Sequence, residues 1–371
     1  MRVLQVNKAY HPTVGGVEQV VRALAEGLRD RGHESAVLAA TERGRGRRER
    51  VRGVPVTRVT SLGTALSVPL APTFPIRLRS LAREADLVHY HLPNPLAVVG
   101  HLLAVPDPVP TVLTYHSDIV RQSRALRLYR PLLERCLADV DHLVTTSPRL
   151  RDNSRFLARH REKCSVVPLS VPESLSSGVA TAGDGTPPVD LPEDRPVVLC
   201  VGRLNYYKGV EYLVEAMADV DATLLVVGDG DRRAKLERRA VELHVDAHFL
   251  GRADDTTLEA CYERADVFVL PSIEPSEAFG IVQLEAMAHG LPVVNTDLPT
   301  GVPWVSRDGE TGLTVPPRDV DALATAIERL CANPDLRETY GETGRERVRS
   351  RFSRERMLDD TIAVYDSVLE E

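Results

Sequence analysis

"PVVLCVGRLNYYKGVEYLVEAM", residues 196–217, opens on an uninterrupted apolar run, crosses a loop bounded by Gly202 and Gly209, and continues into a second segment from Val210. The run reads as a strand and the segment from Val210 as a helix. The same rhythm continues downstream with "TLLVVGDG" (223–230), a helix over 231–243, "AHFLG" (247–251), "VFVLPS" (267–272), a helix near 281–289 and "PVVNT" (292–296). From Asp319 onward the chain reads as nearly all helix, with Pro334 after Asn333 separating two segments. Upstream the pattern is equivalent: "RVLQVN" (2–7), a helix from Val17 to Arg31, "SAVLAA" (35–40), "DLVHYH" (86–91), "TVLTYH" (111–116), a helix over 121–138 and "HLVTTS" (142–147). Strands that alternate with helices form βαβ units, so each half is predicted to be a doubly wound, Rossmann-like α/β domain with a parallel sheet.

Residues 172–196, "PESLSSGVATAGDGTPPVDLPEDRP", have neither period and are rich in Pro, Gly, Ser and Asp, which marks a linker. The expected organisation is therefore a first domain over 1–172, a linker over 173–195, a second domain over 196–350, and a terminal helix over 351–371 that packs back on the first domain. Ligands of open α/β sheets bind beyond the carboxyl ends of the strands, so two such domains facing each other are expected to form a cleft.

Bulk properties agree. A chain of 371 residues suits two domains of about 150 to 200 residues each. The aromatic content of 5% offers no base-stacking platform, and nucleic acid is not an expected partner. "MRVLQVN" soon reaches Lys8 and turn residues, and no stretch approaches the roughly 18 apolar residues of a membrane span. The expected location is the cytoplasm, including the inner face of the membrane. Cys136, Cys164, Cys200, Cys261 and Cys331 are far apart and form no C-x-x-C pair, so they read as small buried apolar residues rather than disulfide or zinc ligands. The net charge of −7 divides unevenly: residues 1–194 carry +6 and residues 195–371 carry −13. Different surface partners for the two halves follow.

Candidate functional residues collect at the strand ends. Gly15 and Gly16 precede a helix whose apolar positions are Val17, Val20, Val21, Leu24 and Leu28, so the N–H groups of that turn can face an anion. Arg203 and Lys208 lie between a strand and a helix, where two cations suit a diphosphate. "SEAFGIVQLEAMAHG" (276–290) places Glu277 at an expected helix start, Gly280 where backbone can approach a phosphate, and Glu285 among Val282, Leu284, Ala286 and Met287. A carboxylate in that company is expected to be buried with a hydrogen-bonding task. His116 ends a strand beside Ser117 and Asp118, whereas His89 and His91 share one face of their strand and read as structural. Asp254 and Asp255 read as helix caps.

Together, "GGVEQVV", "GRLNYYKG", the Glu277-x7-Glu285 arrangement and "GLTVPP" followed by "DVDALATAI" resemble, in the same order and over nearly the whole chain, the retaining glycosyltransferases of family 4, which have the GT-B fold. The resemblance implies a nucleotide-sugar donor. Gly15 and Gly16 would face its diphosphate from the first domain, and Arg203 and Lys208 would neutralise it from the second. Glu277 would hold the donor sugar, with the N–H groups of Phe279, Gly280 and Ile281 near sugar and phosphate. Glu285 would bind the ribose, Arg252 would lie at the base pocket, and His116 would stand at the reaction centre. The catalytic set implied is His116, Glu277, Arg203 and Lys208. The resemblance also implies that no metal or other cofactor is needed, and no His cluster at ligand spacing argues otherwise.

Residues 114–148 and 275–305 look most like bacterial and archaeal mannosyl- and rhamnosyltransferases, which points to GDP-mannose; UDP- or dTDP-sugars of the same family are the alternative. The basic first half suggests the acceptor. Seven arginines lie between Arg43 and Arg58, and Arg121, Arg124, Arg127 and Arg130 recur every third residue beside Leu126, Leu128, Leu132 and Leu133. Such a face can lie on an anionic membrane, as expected for a glycan or lipid-linked acceptor, or can simply be solvated beside a disordered loop. A catalytically idle membrane scaffold, an epimerase and a phosphorylase are the other readings. A phosphorylase would need a pyridoxal-phosphate lysine site for which the sequence gives no support.

Overall fold

The structure, a computed structural model, describes residues 1–13, 15–66, 68–104, 109–119, 123–171, 175 and 187–370. It divides into two compact units, Met1–Leu169 with Glu355–Glu371, and Ser170–Arg354.

The first unit is built on an eight-stranded sheet of β1 (Arg2–Val6), β2 (Glu34–Ala40), β3 (Arg47–Val51), β4 (Val54–Val59), β7 (Leu87–Leu92), β8 (Thr111–Tyr115), β9 (His142–Thr145) and β10 (Cys164–Val166). The spatial order is β10-β9-β8-β7-β1-β2-β4-β3, and a two-stranded ribbon pairs β5 (Thr64–Ala65) with β6 (Val68–Pro69). All pairings in the large sheet are parallel except β3 with β4. Every residue of β7 and β8 is buried, as expected for central parallel strands covered on both faces. The terminal helix Arg354–Glu370 belongs to this unit: Gln5 on β1 donates to the Tyr365 hydroxyl at 3.1 Å, and Arg31 pairs with Asp359 at 3.0 Å.

The arginine-rich stretch is ordered, which corrects the reading of it as a disordered loop. Residues 47–59 form a hairpin, and Arg52 and Gly53 at its tip both have positive φ, 47° and 81°, the pattern of the tight turn that matches strand twist. Arg58 is buried; it pairs with Glu49 at 2.5 Å and donates to the carbonyls of Tyr10 and His11. Part of the basic charge is thus structural.

The second unit has a six-stranded parallel sheet: β11 (Val197–Val201), β12 (Thr223–Val227), β13 (Ala247–Gly251), β14 (Val267–Leu270), β15 (Val293–Thr296) and β16 (Gly312–Val315), ordered β13-β12-β11-β14-β15-β16. Val198, Cys200, Leu224, Val226, Val267 and Val269 pack there against Leu213, Val214, Ile327 and Leu330 of the covering helices. Four cysteines are buried and Cys331 half-buried, all as free thiols; burial pushes Cys136 and Cys200 up to about 12, so neither is a nucleophile at neutral pH.

Chain order reverses at one point in each sheet. In the first unit β1 lies between β2 and β7; in the second β11 lies between β12 and β14. The crevices beyond these two strand pairs are where an open α/β sheet offers a binding site.

Candidate active site

In the second unit the loops that leave β11 and β14 meet. Gly209, at the end of the first loop, is left-handed (φ 65°), and a Cβ there would lie 2.1 Å from the carbonyl oxygen of Pro271. Only glycine permits both the conformation and the approach. Ile273 N–H donates to Tyr207 C=O at 2.8 Å and ties the loops together. As a result the Lys208 Nζ stands 2.5 Å from the Glu277 Oε2, with the two side chains only 12% and 11% exposed. Ser272 Oγ donates to the same carboxylate oxygen at 3.1 Å. Burial by itself pulls the Lys208 ammonium down, but the charge and hydrogen bond of Glu277, together with Tyr207 and Cys200, outweigh it and hold Lys208 above its ordinary value, so it remains a cation. A largely desolvated pair of this kind is costly to break from one side.

The turn from Glu277 to the helix Ile281–Ala288 is fixed from behind. Thr300 Oγ1 donates to Glu277 C=O at 2.8 Å, Gly301 N–H to Ala278 C=O at 2.7 Å, and Gln283 Nε2 to Phe279 C=O at 3.0 Å. Gln283 is held in turn by Asn295 Nδ2 at 2.9 Å, and Thr314 Oγ1 donates to Asn295 Oδ1 at 2.8 Å. Gly280 caps the helix in the left-handed region (φ 71°, ψ 64°), and a Cβ there would lie 2.6 Å from Leu270. The first N–H groups of the helix have no intrahelical acceptor, so this end favours an anion.

One expectation changes here. Glu277 is not at the helix start: residues 277–280 are not helical, Gly280 is the cap, and Glu277 is drawn out by Lys208 and Ser272. The two glutamates therefore do not lie on one helix. Glu285, half-buried one turn into the helix, accepts from the Tyr262 hydroxyl at 2.9 Å, and Tyr262 stacks on His289 with ring centroids 4.9 Å apart. Burial pushes the Glu285 carboxyl up, Tyr262 and Lys208 pull it down, and Asp255 adds to the rise. Lys208 thus acts on both carboxylates. Arg203 and Arg252, in the loops after β11 and β13, are exposed and make no ion pair among the described residues. Phe279 is buried against Trp304 and Phe352, so its backbone rather than its ring is what the turn can present. Asp254 caps its helix by accepting from Thr257 N–H at 2.8 Å.

In the first unit the helix Gly16–Asp30 starts directly after Gly15, an extended N-cap without a side-chain hydrogen bond. His116 follows β8, buried, with its Nε2 at 3.1 Å from His91 Nδ1 and the two rings stacked at 5.4 Å. His91 Nε2 reaches Gln5 Oε1 at 2.8 Å, and His89 reaches Tyr365 and Thr114 at 2.6 and 2.7 Å. Burial pushes His89 and His116 down to about 3 and His91 well below its ordinary value, so all three are neutral. His89 and His91, read as structural, prove to be linked to the candidate histidine.

Arg121 lies outside the described residues, as does the Arg124 side chain. In the helix Ser123–Asp139, Leu126 and Leu133 are buried, while Leu128 (84% exposed) and Leu132 (42%) stand out among exposed Arg127 and Arg130, the latter paired with Glu134 at 2.8 Å. Among the described residues no helix is long and apolar enough to cross a membrane.

Tyr262, Ser272, Gln283, Asn295 and Thr300 were not singled out by sequence. The one signal was their position, since Ser272 and Asn295 lie at the ends of strands whose neighbours carry the candidates.

Two family profiles match the chain: Glycosyltransferase Family 4 over residues 14–175 and Glycosyl transferases group 1 over residues 186–347. The O-antigen chain mannosyltransferase C of Escherichia coli is 33% identical, with 100% of this chain and 99% of that protein covered. The GDP-mannose-dependent alpha-(1-6)-phosphatidylinositol monomannoside mannosyltransferase of Mycolicibacterium smegmatis is 32% identical, covering 92% of each. Among solved structures, sucrose-phosphate synthase from Thermosynechococcus elongatus superposes with a TM-score of 0.80 at 25% identity over the full length of both chains. The chain belongs to glycosyltransferase family 4 and is a nucleotide-sugar-dependent glycosyltransferase of the GT-B type, with two Rossmann-like domains.

Proposed function

We propose that the chain transfers mannose from GDP-mannose, with retention of anomeric configuration and without a metal, to a glycan or lipid-linked acceptor in the synthesis of a cell-surface polysaccharide or glycolipid. The observation that carries this reading is the buried Lys208–Glu277 pair at the β11/β14 reversal, with exposed Arg203 on the same loop as Lys208. As the bond from the anomeric carbon to the leaving oxygen breaks, negative charge gathers on the diphosphate. Arg203, Lys208 and the N–H groups of Gly280 and Ile281 are a preorganised set that stabilises it. Glu277 has one carboxylate oxygen engaged by Lys208 and Ser272, which leaves the other for sugar hydroxyls. Glu285, oriented by Tyr262, takes the ribose hydroxyls, and Arg252 takes the base. Gly15, Gly16 and His116 act on the same donor from the first unit. The acceptor hydroxyl attacks on the face that the diphosphate leaves, and its proton passes to the leaving phosphate oxygen.

The names of the two relatives support mannose, the guanosine nucleotide and a lipid-linked acceptor. Nucleotide release from GDP-mannose, UDP-sugars and dTDP-sugars tests the donor. GDP-mannose is expected to turn over at least tenfold faster than the others, and preferential use of a UDP- or dTDP-sugar would overturn that assignment. Excess EDTA is expected to leave the rate unchanged; a loss restored only by a divalent cation would refute the metal-independent step.

Arg127 and Arg130, beside exposed Leu128 and Leu132, are proposed to rest on an anionic membrane from the cytoplasmic side. At about 1 kcal/mol per arginine near the surface, the double replacement by serine should weaken sedimentation with anionic vesicles by on the order of thirtyfold. Equal sedimentation of parent and variant would remove this contact.

A further inference from the structure

A linear chain of side-chain hydrogen bonds ends at His116, and its direction can be read link by link. Tyr365 Oη stands 2.6 Å from His89 Nδ1 and 3.1 Å from Gln5 Nε2. The shorter contact suits an O–H donor and the longer an N–H donor, so Tyr365 donates to His89 and accepts from Gln5. His89, with Nδ1 accepting, carries its proton on Nε2 and donates to Thr114 Oγ1 at 2.7 Å. The Gln5 amide, with its nitrogen turned to Tyr365, offers Oε1 to His91 Nε2 at 2.8 Å, so His91 Nε2 is the protonated nitrogen. His91 Nδ1 is then a bare acceptor, and among the described residues the nitrogen that donates to it is His116 Nε2 at 3.1 Å. A neutral imidazole with its proton on Nε2 has a bare Nδ1. That atom has no hydrogen-bond partner among the described residues.

We propose that Gln5, His91 and Tyr365 are positioning residues that fix His116 as the Nε2–H tautomer, leaving its Nδ1 as a hydrogen-bond acceptor for a sugar hydroxyl. The inference rests on the reading of His116 as a group at the donor sugar, and it adds what kind of group His116 is: an acceptor of a hydroxyl proton rather than a donor to phosphate. The Gln5 amide is the element that sets the polarity. Turning it over would reverse every link and place the proton on His116 Nδ1. The chain spans β1, β7, β8 and the terminal helix, with Gln5 and Tyr365 360 positions apart, so docking of that helix and the tautomer of His116 are one event. Gln5, His89, His91 and Tyr365 are each at most 1% exposed, so water does not compete for these links.

The test is long-range proton–nitrogen NMR on 15N-histidine-labelled full-length protein, with His116 assigned by comparison with His116→Gln. The expected spectrum shows a pyrrole-type Nε2 and a pyridine-type Nδ1 for His116; the reverse pattern, or a fast average of both, overturns the inference. Tyr365→Phe and Gln5→Met remove separate links. With folding checked by circular dichroism, each is expected to convert His116 to a mixture of tautomers and to lower kcat about tenfold, with KM for the donor changing less than twofold. Unchanged His116 signals in both variants would also overturn it. Should the expected tautomer be found while His116→Gln turns over donor at the parental rate, it is the assignment of His116 to the sugar that fails, and the assignment of its tautomer that stands.

Discussion

Lys208→Ala is expected to lower kcat/KM by roughly a thousandfold, the scale on which a preorganised charge at a developing anion contributes to rate. Two effects combine. The variant loses the cation that meets the leaving diphosphate, and it leaves Glu277 buried and unpaired, a change that costs about 3–5 kcal/mol when a desolvated pair is broken from one side. Glu277→Gln should cost about a hundredfold by a different route. Without the carboxylate, burial is opposed only by Tyr207 and Cys200 and moves the Lys208 pKa downward from the raised value that the pair maintains. Steady-state kinetics of both single variants and the double variant separate the routes. Since the two residues form one unit, the double variant should be little worse than Lys208→Ala alone. Independent, multiplying effects would show that the pair seen in the structure is not the catalytic unit. A thermal unfolding curve for each variant keeps stability and activity apart.

The histidine cluster predicts a steep loss of stability in mild acid. His89 and His116 are pushed down to about 3 by burial, against an ordinary value of 6.5, and His91 lies lower than its ordinary value for the same reason. Between those limits the unfolded chain binds protons that the folded chain refuses, so stability rises with pH across that window and is lost as pH falls from about 6.5 toward 3. Each such histidine contributes a slope of about 1.4 kcal/mol per pH unit. Glu285, raised by burial, works in the opposite direction. Urea midpoints at pH 7, 6 and 5 should therefore fall progressively, and His89→Gln should flatten the slope. A midpoint constant over that range would contradict the neutral, buried cluster.

The central strands were legible because a parallel sheet covered on both faces leaves continuous apolar runs, as in "VVLCV" and "TLLVV". The β3–β4 hairpin was not. Its edge strand "RRERV" is polar on both faces, and nothing apolar marks where Arg52 and Gly53 reverse the chain. Strand ends localised Arg203, Lys208, Glu277, Glu285 and His116, because loops beyond carboxyl ends are where such sheets bind ligands. The direct contact between Lys208 and Glu277 was not readable, since it depends on β11 and β14 being neighbours while the chain between them visits β12 and β13. Buried amides and hydroxyls such as Asn295, Gln283 and Tyr262 carry no periodic signal. Only the fold shows that Asn295 holds Gln283 and that Gln283 holds the turn before the 281–288 helix. The histidines of β7 illustrate the converse: a structural reading was correct for their burial and incomplete for their connection to His116.

The donor site is put to the sharpest test by calorimetric titration of GDP, UDP and dTDP into the full-length protein in excess EDTA, with Lys208→Ala and Glu285→Ala alongside the parent. Micromolar binding of GDP by the parent is expected without metal, weakened at least tenfold in each folded variant. Binding that is absent in the parent, or equal in all three proteins, would contradict the assignment of the donor to the loops after β11 and β14.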